Sequence, residues 1–319
     1  MFANVSTKIR QIMKSIVLKD KGLDDKLEYT DMPGPEIKNN QILVKVFTTS
    51  VNQIDWKMGS GMMGGLSYPW IPGMDFGGEV EAVGSRVKGF VKGDYVVGCS
   101  RGGTYAEFIA AEPGKTVLKP ESISFVDANA AAYVSQTAWQ ALFKHGKLKK
   151  GQRVLVHGAA GAVGAFAVQF ARVKGAYIYA TAAGSDTGFV KGLGADVVID
   201  YRTEDFAKIA KELDLVIDLV GGESHKRSYP LIKKGGRLVT MVEPANGELA
   251  GKYGVTAENM VVKPSAADLR KIMALMEEGG VKADVAAVFW LKDMADAWEY
   301  VLGKDPLRKV HGKVVIQVR

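Results

Sequence analysis

The chain has 319 residues, 47% of them hydrophobic, and its 42 lysines and arginines against 35 acidic residues give a net charge of +7. This length exceeds the usual size of one hydrophobic core, so two domains are expected. No apolar run approaches the roughly 20 residues of a membrane span, and the N-terminus has no long apolar stretch, so we expect a soluble, cytoplasmic protein without membrane contact. The basic residues are scattered, so the charge suits an anionic cofactor and requires no nucleic acid. The single cysteine, Cys99, excludes an internal disulfide and a multi-cysteine zinc site.

The first part of the chain, to about Tyr133, is typical of a β-rich domain. Short apolar strands alternate with glycine and proline turns, and the clearest strands are residues 15–18, 41–46, 78–83 and 95–97. Residues 1–11 form a polar, basic lead-in whose role the sequence does not indicate.

The middle of the chain alternates helical patterns with buried strands. The predicted strands are residues 153–157, 177–181, 197–199, 215–219, 237–241 and 260–262. Such alternation builds a parallel, doubly wound sheet. The pair Gly235-Gly236 is predicted to form a turn before the strand at 237–241.

The last part of the chain returns to the first domain, through a strand at 286–291, a helix at 294–302 and a strand at 313–318. The predicted fold class is therefore α/β. A β-rich domain of residues 1–133 and 283–319 is interrupted by a doubly wound domain of residues 134–282.

The run from Val154 to Gly164 predicts a dinucleotide site. An apolar strand leads into an Ala-x-Gly-x-x-Gly turn, and a helical pattern follows. Glycines let the backbone turn tightly and approach a pyrophosphate, which the positive end of the helix stabilises. Gly161 belongs to this turn, and Ala162 and Val163 are expected to present backbone N–H groups to the pyrophosphate. The alternative is a tight strand-to-helix turn without a ligand.

Further motifs recur along the chain in a specific order. They are VNQIDWK at 51–57, IPGMDFGGEV at 71–80, VKGDYV at 91–96, Thr137-Ala138, LGAD at 193–196, Asp200-Tyr201 and DLVGG at 218–222. With the glycine turn, they make nearly the whole chain resemble the medium-chain dehydrogenase/reductase superfamily, in its zinc-free quinone oxidoreductase (zeta-crystallin-like) branch. The resemblance implies a GroES-like catalytic domain, interrupted by a Rossmann domain, with the active site in the cleft between them.

A zinc site is not expected. Zinc-dependent members of the superfamily carry cysteine or histidine ligands at the cleft, and a catalytic zinc needs about three protein ligands. The histidines of this chain, at 145, 157, 225 and 311, are dispersed, and Asn52 stands where metal-ligand chemistry would begin. The sequence therefore favours hydride transfer to an acceptor that is already polarised by conjugation.

The cofactor is predicted to be NADPH. A Rossmann domain that prefers NAD usually carries Asp or Glu at the end of its second strand, and here the strand at 177–181 ends without a carboxylate. Thr181 and Ser185 offer hydroxyls to a 2′-phosphate, and Lys191 and Tyr201 could approach it, as similar positions do in the family.

Two observations weaken this preference. The loop 184–186 lacks the arginine or lysine that is common in relatives, and Asp186 lies within it. Ser185 could also be an ordinary turn residue, and Tyr201 could pack beside the adenine.

The resemblance places three further residues beside the nicotinamide. Thr137 resembles the family threonine near the nicotinamide phosphate or amide, although an N-cap role is the alternative. Val220 is expected beside the nicotinamide-side ribose. Phe289 is expected to abut the carboxamide, with a core position as the alternative.

Three residues of the 51–57 motif are candidate catalytic residues. Hydride transfer to a conjugated carbonyl gives an enolate or hydroquinone anion that needs a hydrogen-bond donor. Asn52 and Lys57 come from the loop that faces the nicotinamide in similar enzymes. Lys57 could donate to the developing oxyanion or to nearby ribose hydroxyls, and Asp55 could orient it. An ordinary solvated ion pair of Asp55 and Lys57 is the alternative.

Three aromatic residues, Tyr68, Trp70 and Tyr133, are candidate walls for a flat conjugated substrate. Aromatic residues of a β-rich domain also serve in the core.

Together these observations predict an NADPH-dependent reductase of small-molecule quinones or of the C=C bond of α,β-unsaturated carbonyls. Two alternatives stay open: an enoyl-thioester reductase of the same superfamily, and a non-enzymatic NADPH-binding redox sensor or nucleic-acid binder. The resemblance also implies a homodimer, through a Rossmann edge strand such as 260–262 or 237–241.

Overall fold

The structure is a computed structural model that describes residues 12–22, 26–303 and 311–319. The polar lead-in at residues 1–11 lies outside the described residues. The described chain divides into two compact units. Unit 1 takes its residues from Met1–Tyr133, Pro264–Glu277 and Ala283–Arg319, and unit 2 from Val134–Lys263 and Glu278–Lys282. Pro264–Glu277 thus groups with unit 1, whereas the sequence placed it in the doubly wound domain.

The strands of the described residues are, in chain order, β1 (Ile12–Leu18), β2 (Leu27–Pro33), β3 (Ile42–Ser50), β4 (Asp75–Val83), β5 (Tyr95–Cys99), β6 (Phe108–Ala111), β7 (Thr116–Leu118), β8 (Arg153–His157), β9 (Tyr177–Ala182), β10 (Val197–Asp200), β11 (Leu213–Asp218), β12 (Ile232–Thr240), β13 (Thr256–Asn259), β14 (Val285–Trp290) and β15 (Lys313–Gln317).

The α-helices of the same residues are α1 (Gln53–Gly59), α2 (Phe125–Ala132), α3 (Val134–Trp139), α4 (Ala162–Lys174), α5 (Thr187–Gly192), α6 (Phe206–Ile209), α7 (Gly222–Ser228), α8 (Gly247–Tyr253), α9 (Ala266–Glu277) and α10 (Met294–Leu302). A π-helical segment, Gln140–His145, continues α3. None of these helices combines the length and the apolar character needed to cross a membrane.

Unit 1 is built on a seven-stranded sheet. Its strand order is β14-β15-β3-β4-β5-β7, and β6 pairs with β3 beside this path; β1 and β2 form a separate antiparallel pair. Ile42, Val44 and Val46 alternate along β3, so they share one face of the sheet. They pack there with buried residues of neighbouring strands, such as Phe76 and Val96.

The register of unit 1 brings three strand ends to one edge of the sheet. β3 is antiparallel to both β15 and β4, with Val315 opposite Ser50 and Phe76 opposite Thr49. The end of β3 therefore lies beside the starts of β15 and β4. Consequently the chain segments around Ser50, Asp75 and Lys313 come together although they are far apart in sequence.

Unit 2 contains a six-stranded sheet of order β10-β9-β8-β11-β12-β13, in which every pairing is parallel. Its inner strands β8, β9 and β11 are apolar over most of their length, as parallel strands buried on both faces are. Leu155, Ile199, Val216 and Leu238 come from four of these strands and share one core. The carboxyl ends of parallel strands meet at one edge, where α/β sheets bind their ligands. The predicted α/β fold class is confirmed.

Three local predictions were wrong. The last strand of the parallel sheet is the polar segment Thr256–Asn259, not the apolar run 260–262, because an edge strand pairs on one side only and needs little apolar surface. Residues 237–241 lie in or next to β12, which is an inner strand and no sheet edge. Gly235 and Gly236 lie within β12, where Gly235 takes a φ of +81° and the pairing with β11 shifts register.

Candidate active site

The glycine turn of unit 2 joins β8 to α4. Gly158 has a φ of +70°, a conformation that favours glycine, and Gly161 is the N-cap of α4. A Cβ at Gly164 would lie 2.3 Å from the carbonyl oxygen of Gly158 and 2.7 Å from the Cα of Ala159. Only glycine therefore lets the helix pack so closely on the turn. The first N–H groups of α4, including those of Ala162 and Val163, have no acceptor within the helix and can bind an anion.

A buried histidine, His157, is hydrogen-bonded to residues next to this turn. The Ser228 hydroxyl donates to the Ser224 carbonyl at 2.7 Å, so the His157 Nε2–H must donate to Ser228 Oγ at 2.9 Å. His157 Nδ1 then accepts from the Thr181 hydroxyl at 3.0 Å, and Thr181 Oγ1 also accepts the Gly158 N–H at 3.4 Å. Burial lowers the pKa of His157 to about 4, so the ring is neutral. The Thr181 hydroxyl, predicted to meet a 2′-phosphate, is thus engaged inside the protein.

The loop after β11 lies beside the glycine turn. Asp218 Oδ1 accepts the N–H groups of Val220 at 3.0 Å and Gly221 at 2.9 Å, and Glu243 Oε1 accepts that of Gly222 at 3.1 Å. The predicted nicotinamide-side residue, Val220, is 56% exposed, and a Cβ at Gly158 would lie 3.2 Å from its Cγ2. The loop is therefore held rigidly and presents Val220 next to the turn.

The ends of β9 and β10 bring a carboxylate to the loop where none was expected. The Asp200 carboxylate accepts the backbone N–H of Arg202 at 3.1 Å and the Thr203 hydroxyl at 3.1 Å, and it is also hydrogen-bonded to the backbone of Gly184. The first of these bonds is the main reason why the pKa of Asp200 lies below its usual value. The Asp200 carboxylate is therefore hydrogen-bonded both to the loop after β9 and to the loop after β10.

Two exposed side chains follow Asp200. Tyr201 is 57% exposed, and the guanidinium carbon of Arg202 lies 5.7 Å from the centre of its ring. Arg202 forms no ion pair within the part of the chain that the structure describes. Lys191 is exposed on α5, and the Ser185 hydroxyl donates to Asp186 Oδ1 at 2.7 Å. An exposed arginine thus stands in the loop after β10, whereas the loop after β9 has none.

Unit 1 contains a buried polar cluster around Asp75. Ser50 Oγ lies 2.7 Å from both carboxylate oxygens, Asn52 Nδ2 donates to Oδ2 at 2.8 Å, and Asn129 Nδ2 donates to Oδ1 at 3.1 Å. The Lys313 ammonium donates to Asn52 Oδ1 at 2.7 Å and to the Val51 carbonyl. Asn129 and Lys313 have no counterpart among the predicted site residues.

This cluster changes the role of Asn52. Its second amide N–H donates to the Ser50 carbonyl at 3.1 Å, so both N–H groups are used inside the protein. Asn52 is only 4% exposed. It therefore has no free donor for an oxyanion, and it links Asp75 to Lys313.

Asp55 faces the same cluster and not Lys57. Its Oδ2 accepts the Asn52 N–H at 3.0 Å and the Tyr105 hydroxyl at 2.8 Å, while its buried Oδ1 has no hydrogen-bond partner among the described residues. The prediction that Asp55 orients Lys57 is therefore wrong. Lys57 is half-buried on α1, and its ammonium has no hydrogen bond or ion pair to any described residue.

Burial dominates the electrostatics of the cluster. It raises the pKa of Asp55 to about 7, although the hydrogen bond from Tyr105 opposes this shift. Burial also raises the pKa of Asp75, which the charge of Lys313 opposes, and lowers the pKa of Lys313, which Asp75 and Asp55 oppose. Two carboxylates and one ammonium thus share a site from which water is excluded.

The remaining predicted residues lie in both units. Tyr68 donates to the carbonyl of Gly59, at the end of α1, at 3.3 Å. Trp70 pairs with Leu18 through its backbone. Tyr133 ends α2, and burial raises its pKa.

Thr137 and Phe289 differ from their predicted settings. Thr137 is buried inside α3, which begins at Val134, so it is not an N-cap. Phe289 lies on β14 of unit 1, packs against a core cluster and meets Tyr300 edge to face at 5.7 Å, which favours the core alternative.

Neither unit offers a fitting zinc site among the residues that the structure describes. Asp218, His225 and Glu243 have ligand atoms within 4.8 Å of one another. However, Asp218 Oδ2 and His225 Nδ1 are 2.8 Å apart, and two ligands of one tetrahedral zinc would be separated by about 3.3 Å. His225 Nε2 is also hydrogen-bonded to the Tyr229 hydroxyl at 3.0 Å. In unit 1 the position of a cation is filled by the Lys313 ammonium.

Comparison with known proteins is consistent with both units. Residues 38–121 match the alcohol dehydrogenase GroES-like domain, and residues 193–316 match the zinc-binding dehydrogenase family. A chloroplast envelope quinone oxidoreductase homolog of Arabidopsis thaliana is 34% identical over 85% of this chain and 89% of its own. An NADPH-dependent alkenal/one oxidoreductase of the same plant is 32% identical over 95% of this chain and 79% of its own. The quinone oxidoreductase structure from Coxiella burnetii superposes with a TM-score of 0.88 at 32% identity, covering 97% of this chain and all of that one.

The chain therefore belongs to the medium-chain dehydrogenase/reductase superfamily and is an oxidoreductase with a nicotinamide cofactor. Within the superfamily it belongs to the quinone oxidoreductase-like branch, as its sequence predicted. The GroES-like identity of the β-rich domain is confirmed as well.

Replacing Gly164 with alanine is expected to weaken nucleotide binding. The added Cβ would collide with backbone atoms of the turn, and overpacking of this kind costs about 1–3 kcal/mol. We expect the Kd for NADPH to rise about tenfold, which corresponds to about 1.4 kcal/mol, in a titration followed by nucleotide fluorescence. Gly251→Ala on α8, where a Cβ meets no atom within 4 Å, is the matched control. An unchanged Kd in G164A would show that the turn does not hold the nucleotide.

Asp55 is expected to make the stability of the chain fall as pH rises. Its pKa is about 7 in the folded chain against a usual value of 3.8, so the folded state retains a proton that the unfolded state has lost between these values. This contribution is complete below about pH 4 and disappears as pH rises through 7. Between pH 4 and pH 8 the wild type should lose about 4 kcal/mol of unfolding free energy relative to Asp55→Asn, at about 1.4 kcal/mol per pKa unit.

Urea denaturation at several pH values measures this difference. Asp31→Asn, which alters an exposed ion pair with Lys14, should leave the pH dependence of the wild type unchanged. Parallel curves for the wild type and D55N would show that Asp55 ionises normally.

Proposed function

We propose that the protein transfers hydride from NADPH to a quinone or to the C=C bond of an α,β-unsaturated carbonyl, without zinc. The observation that carries the proposal is the donor set of the polar cluster in unit 1. The hydrogen bonds of this cluster come from an ammonium, amides and a hydroxyl, none of which is a usual zinc ligand, and this favours an acceptor that is polarised by its own conjugation. The names of two relatives, a quinone oxidoreductase homolog and an alkenal/one oxidoreductase, support this substrate class.

In the proposed mechanism, the bound nicotinamide supplies the hydride. The glycine turn and the N-terminus of α4 hold the pyrophosphate. Asp218 and Glu243 fix the loop at residues 220–222 through its N–H groups, so this loop does not have to be ordered when the cofactor binds. Such preorganisation reduces the entropy that binding must overcome.

Lys57 is the proposed donor to the oxyanion that forms on the substrate. The Asn52 amide has no free N–H, and Asp55 and Tyr105 bond to each other. The Lys57 ammonium, in contrast, has three N–H donors and no partner among the described residues. An ammonium that meets developing negative charge stabilises the transition state more than the ground state.

A cytoplasmic location and a homodimer belong to the same proposal. The homodimer rests on the resemblance to the family, and the location rests on the sequence expectation that found no long apolar run. β13, which ends the six-stranded sheet of unit 2, replaces the predicted strands as the candidate edge for pairing.

NADPH oxidation with three acceptors tests the function: phenanthrenequinone, a long-chain enone and crotonyl-CoA. We expect turnover with the first two. Preferred turnover of crotonyl-CoA would favour an enoyl-thioester reductase. Tight NADPH binding without turnover of any acceptor would favour a sensor and contradict the proposal.

Lys57→Met should lower kcat about 100-fold, as the loss of one oxyanion donor does, with little change in the Kd for NADPH. Lys92→Met is the matched control, because Lys92 is an exposed lysine of unit 1 that pairs with Glu81. A kcat in K57M equal to that of K92M would exclude Lys57 as the donor.

Arg202 is the proposed partner of the 2′-phosphate. Arg202→Ala should reduce the preference for NADPH over NADH in kcat/KM by about 10- to 100-fold, since a hydrogen bond to a charged group contributes about 1.5–3 kcal/mol. Arg153→Ala is a close control: Arg153 lies 5.7 Å from the Tyr177 ring, the same distance as in the Arg202 and Tyr201 pair, but at the amino ends of the strands. A preference that R202A leaves intact would assign the 2′-phosphate to other residues.

A further inference from the structure

Lys313 carries a buried charge at the start of β15. It is 4% exposed, and lysine is almost never so buried unless its charge is paired. The adjoining backbone is also fixed, because the Lys313 N–H donates to the Asp284 carbonyl at 2.8 Å and a Cβ at Gly312 would lie 2.3 Å from the same oxygen. The lysine side chain therefore starts from a position with little freedom.

The ammonium of Lys313 acts on the two residues that precede α1. It donates to the Val51 carbonyl and, at 2.7 Å, to Asn52 Oδ1. The contact joins β15 to a segment 261 positions earlier in the sequence. Asn52 is the N-cap of α1, so Lys313 acts where this helix begins.

Lys313 also determines which way the Asn52 amide points. An ammonium can only donate, so it selects the orientation in which the amide oxygen faces it. The amide nitrogen is then turned towards Asp75 Oδ2 and the Ser50 carbonyl, and the backbone N–H of Asn52 donates to Asp55. Lys313 thereby fixes the Asn52 amide, which joins Asp75 and Ser50 to the start of α1.

We propose that Lys313 is a positioning residue for the reductase site: by holding Val51 and Asn52 it fixes the start of α1, the short helix that presents Lys57. The inference rests on the function proposed above. Its consequence is that Lys313 controls turnover without touching the reacting atoms.

Two variants separate this role from simple charge balance. Lys313→Met leaves two buried carboxylates without a cation and should lower the unfolding midpoint. Lys313→Met combined with Asp75→Asn removes one of those carboxylates and should recover most of that midpoint. Lys92→Met again serves as the control for loss of an exposed lysine.

Turnover is the first readout. We expect kcat to fall about 100-fold in both K313M and the double variant, as a displaced catalytic group can cost, while the Kd for NADPH stays within about twofold of wild type. Recovery of wild-type kcat together with stability in the double variant would overturn the proposal, because Lys313 would then only balance charge. Wild-type kcat in K313M would overturn it as well.

Hydrogen exchange is a second readout, and it does not depend on the reaction. We expect amides of α1 to exchange about tenfold faster in the double variant than in wild type, with β3 and β4 unchanged, since the helix start has lost its buried hydrogen bonds. If the wild type reduces no acceptor, the proposed function fails, and exchange still decides whether Lys313 fixes α1. Wild-type protection of α1 in the double variant would refute the positioning role.

Discussion

The structure of unit 1 depends on one buried carboxylate. A charged group without water is tolerated only when it is paired and hydrogen-bonded, and Asp75 meets this requirement with donors from Ser50, Asn52 and Asn129 and with the nearby charge of Lys313. These residues come from β3, the N-cap of α1, α2 and β15. All of these elements must therefore be in place together, and the C-terminal strand must return to the first domain. Removal of any one donor would leave the charge of the Asp75 carboxylate poorly compensated.

In unit 2 the buried Asp218 carboxylate is hydrogen-bonded to His225 and to the N–H groups of Val220 and Gly221, whereas the group next to the glycine turn is neutral. His157 lies beneath the glycine turn, and its pKa of about 4 keeps it uncharged, so one tautomer can link Thr181 to Ser228. The parallel sheet collects the ends of β8, β9, β10 and β11 at one edge, which places the turn, Arg202 and the loop at 220–222 in one region. The free N–H groups of α4 and the exposed basic side chains supply the positive potential that an anionic cofactor requires.

Local patterns predicted the elements of this fold well, and long-range contacts explain what was missed. The bounds of β8 and α10 agree with the sequence, because apolar periodicity is a local property. The glycine turn was predictable for the same reason. Asn52 was predicted as a site residue, but its hydrogen-bond capacity is used by Lys313, Asp75 and Ser50, whose positions depend on strand register. Lys313 stands in a predicted strand, but the neighbouring sequence gives no sign that its charge is buried. Arg202 was missed because its loop becomes adjacent to the end of β9 only when β10 pairs with it.

The hydrogen-bond donors around Asp75 and Asp55 already bond to these carboxylates, and this limits the chemistry that unit 1 can support. Ser50, Asn52, Tyr105 and Asn129 each donate to Asp75 or Asp55. Turning one of these hydrogen bonds towards a new anion would leave a buried carboxylate poorly solvated. Lys57, on the same α1 that this cluster anchors, keeps its donors free among the described residues. A single ammonium suits an acceptor whose negative charge is already spread over a conjugated system, because such an anion needs less stabilisation than an isolated alkoxide. The buried charges thus act indirectly, because they anchor α1, which carries Lys57.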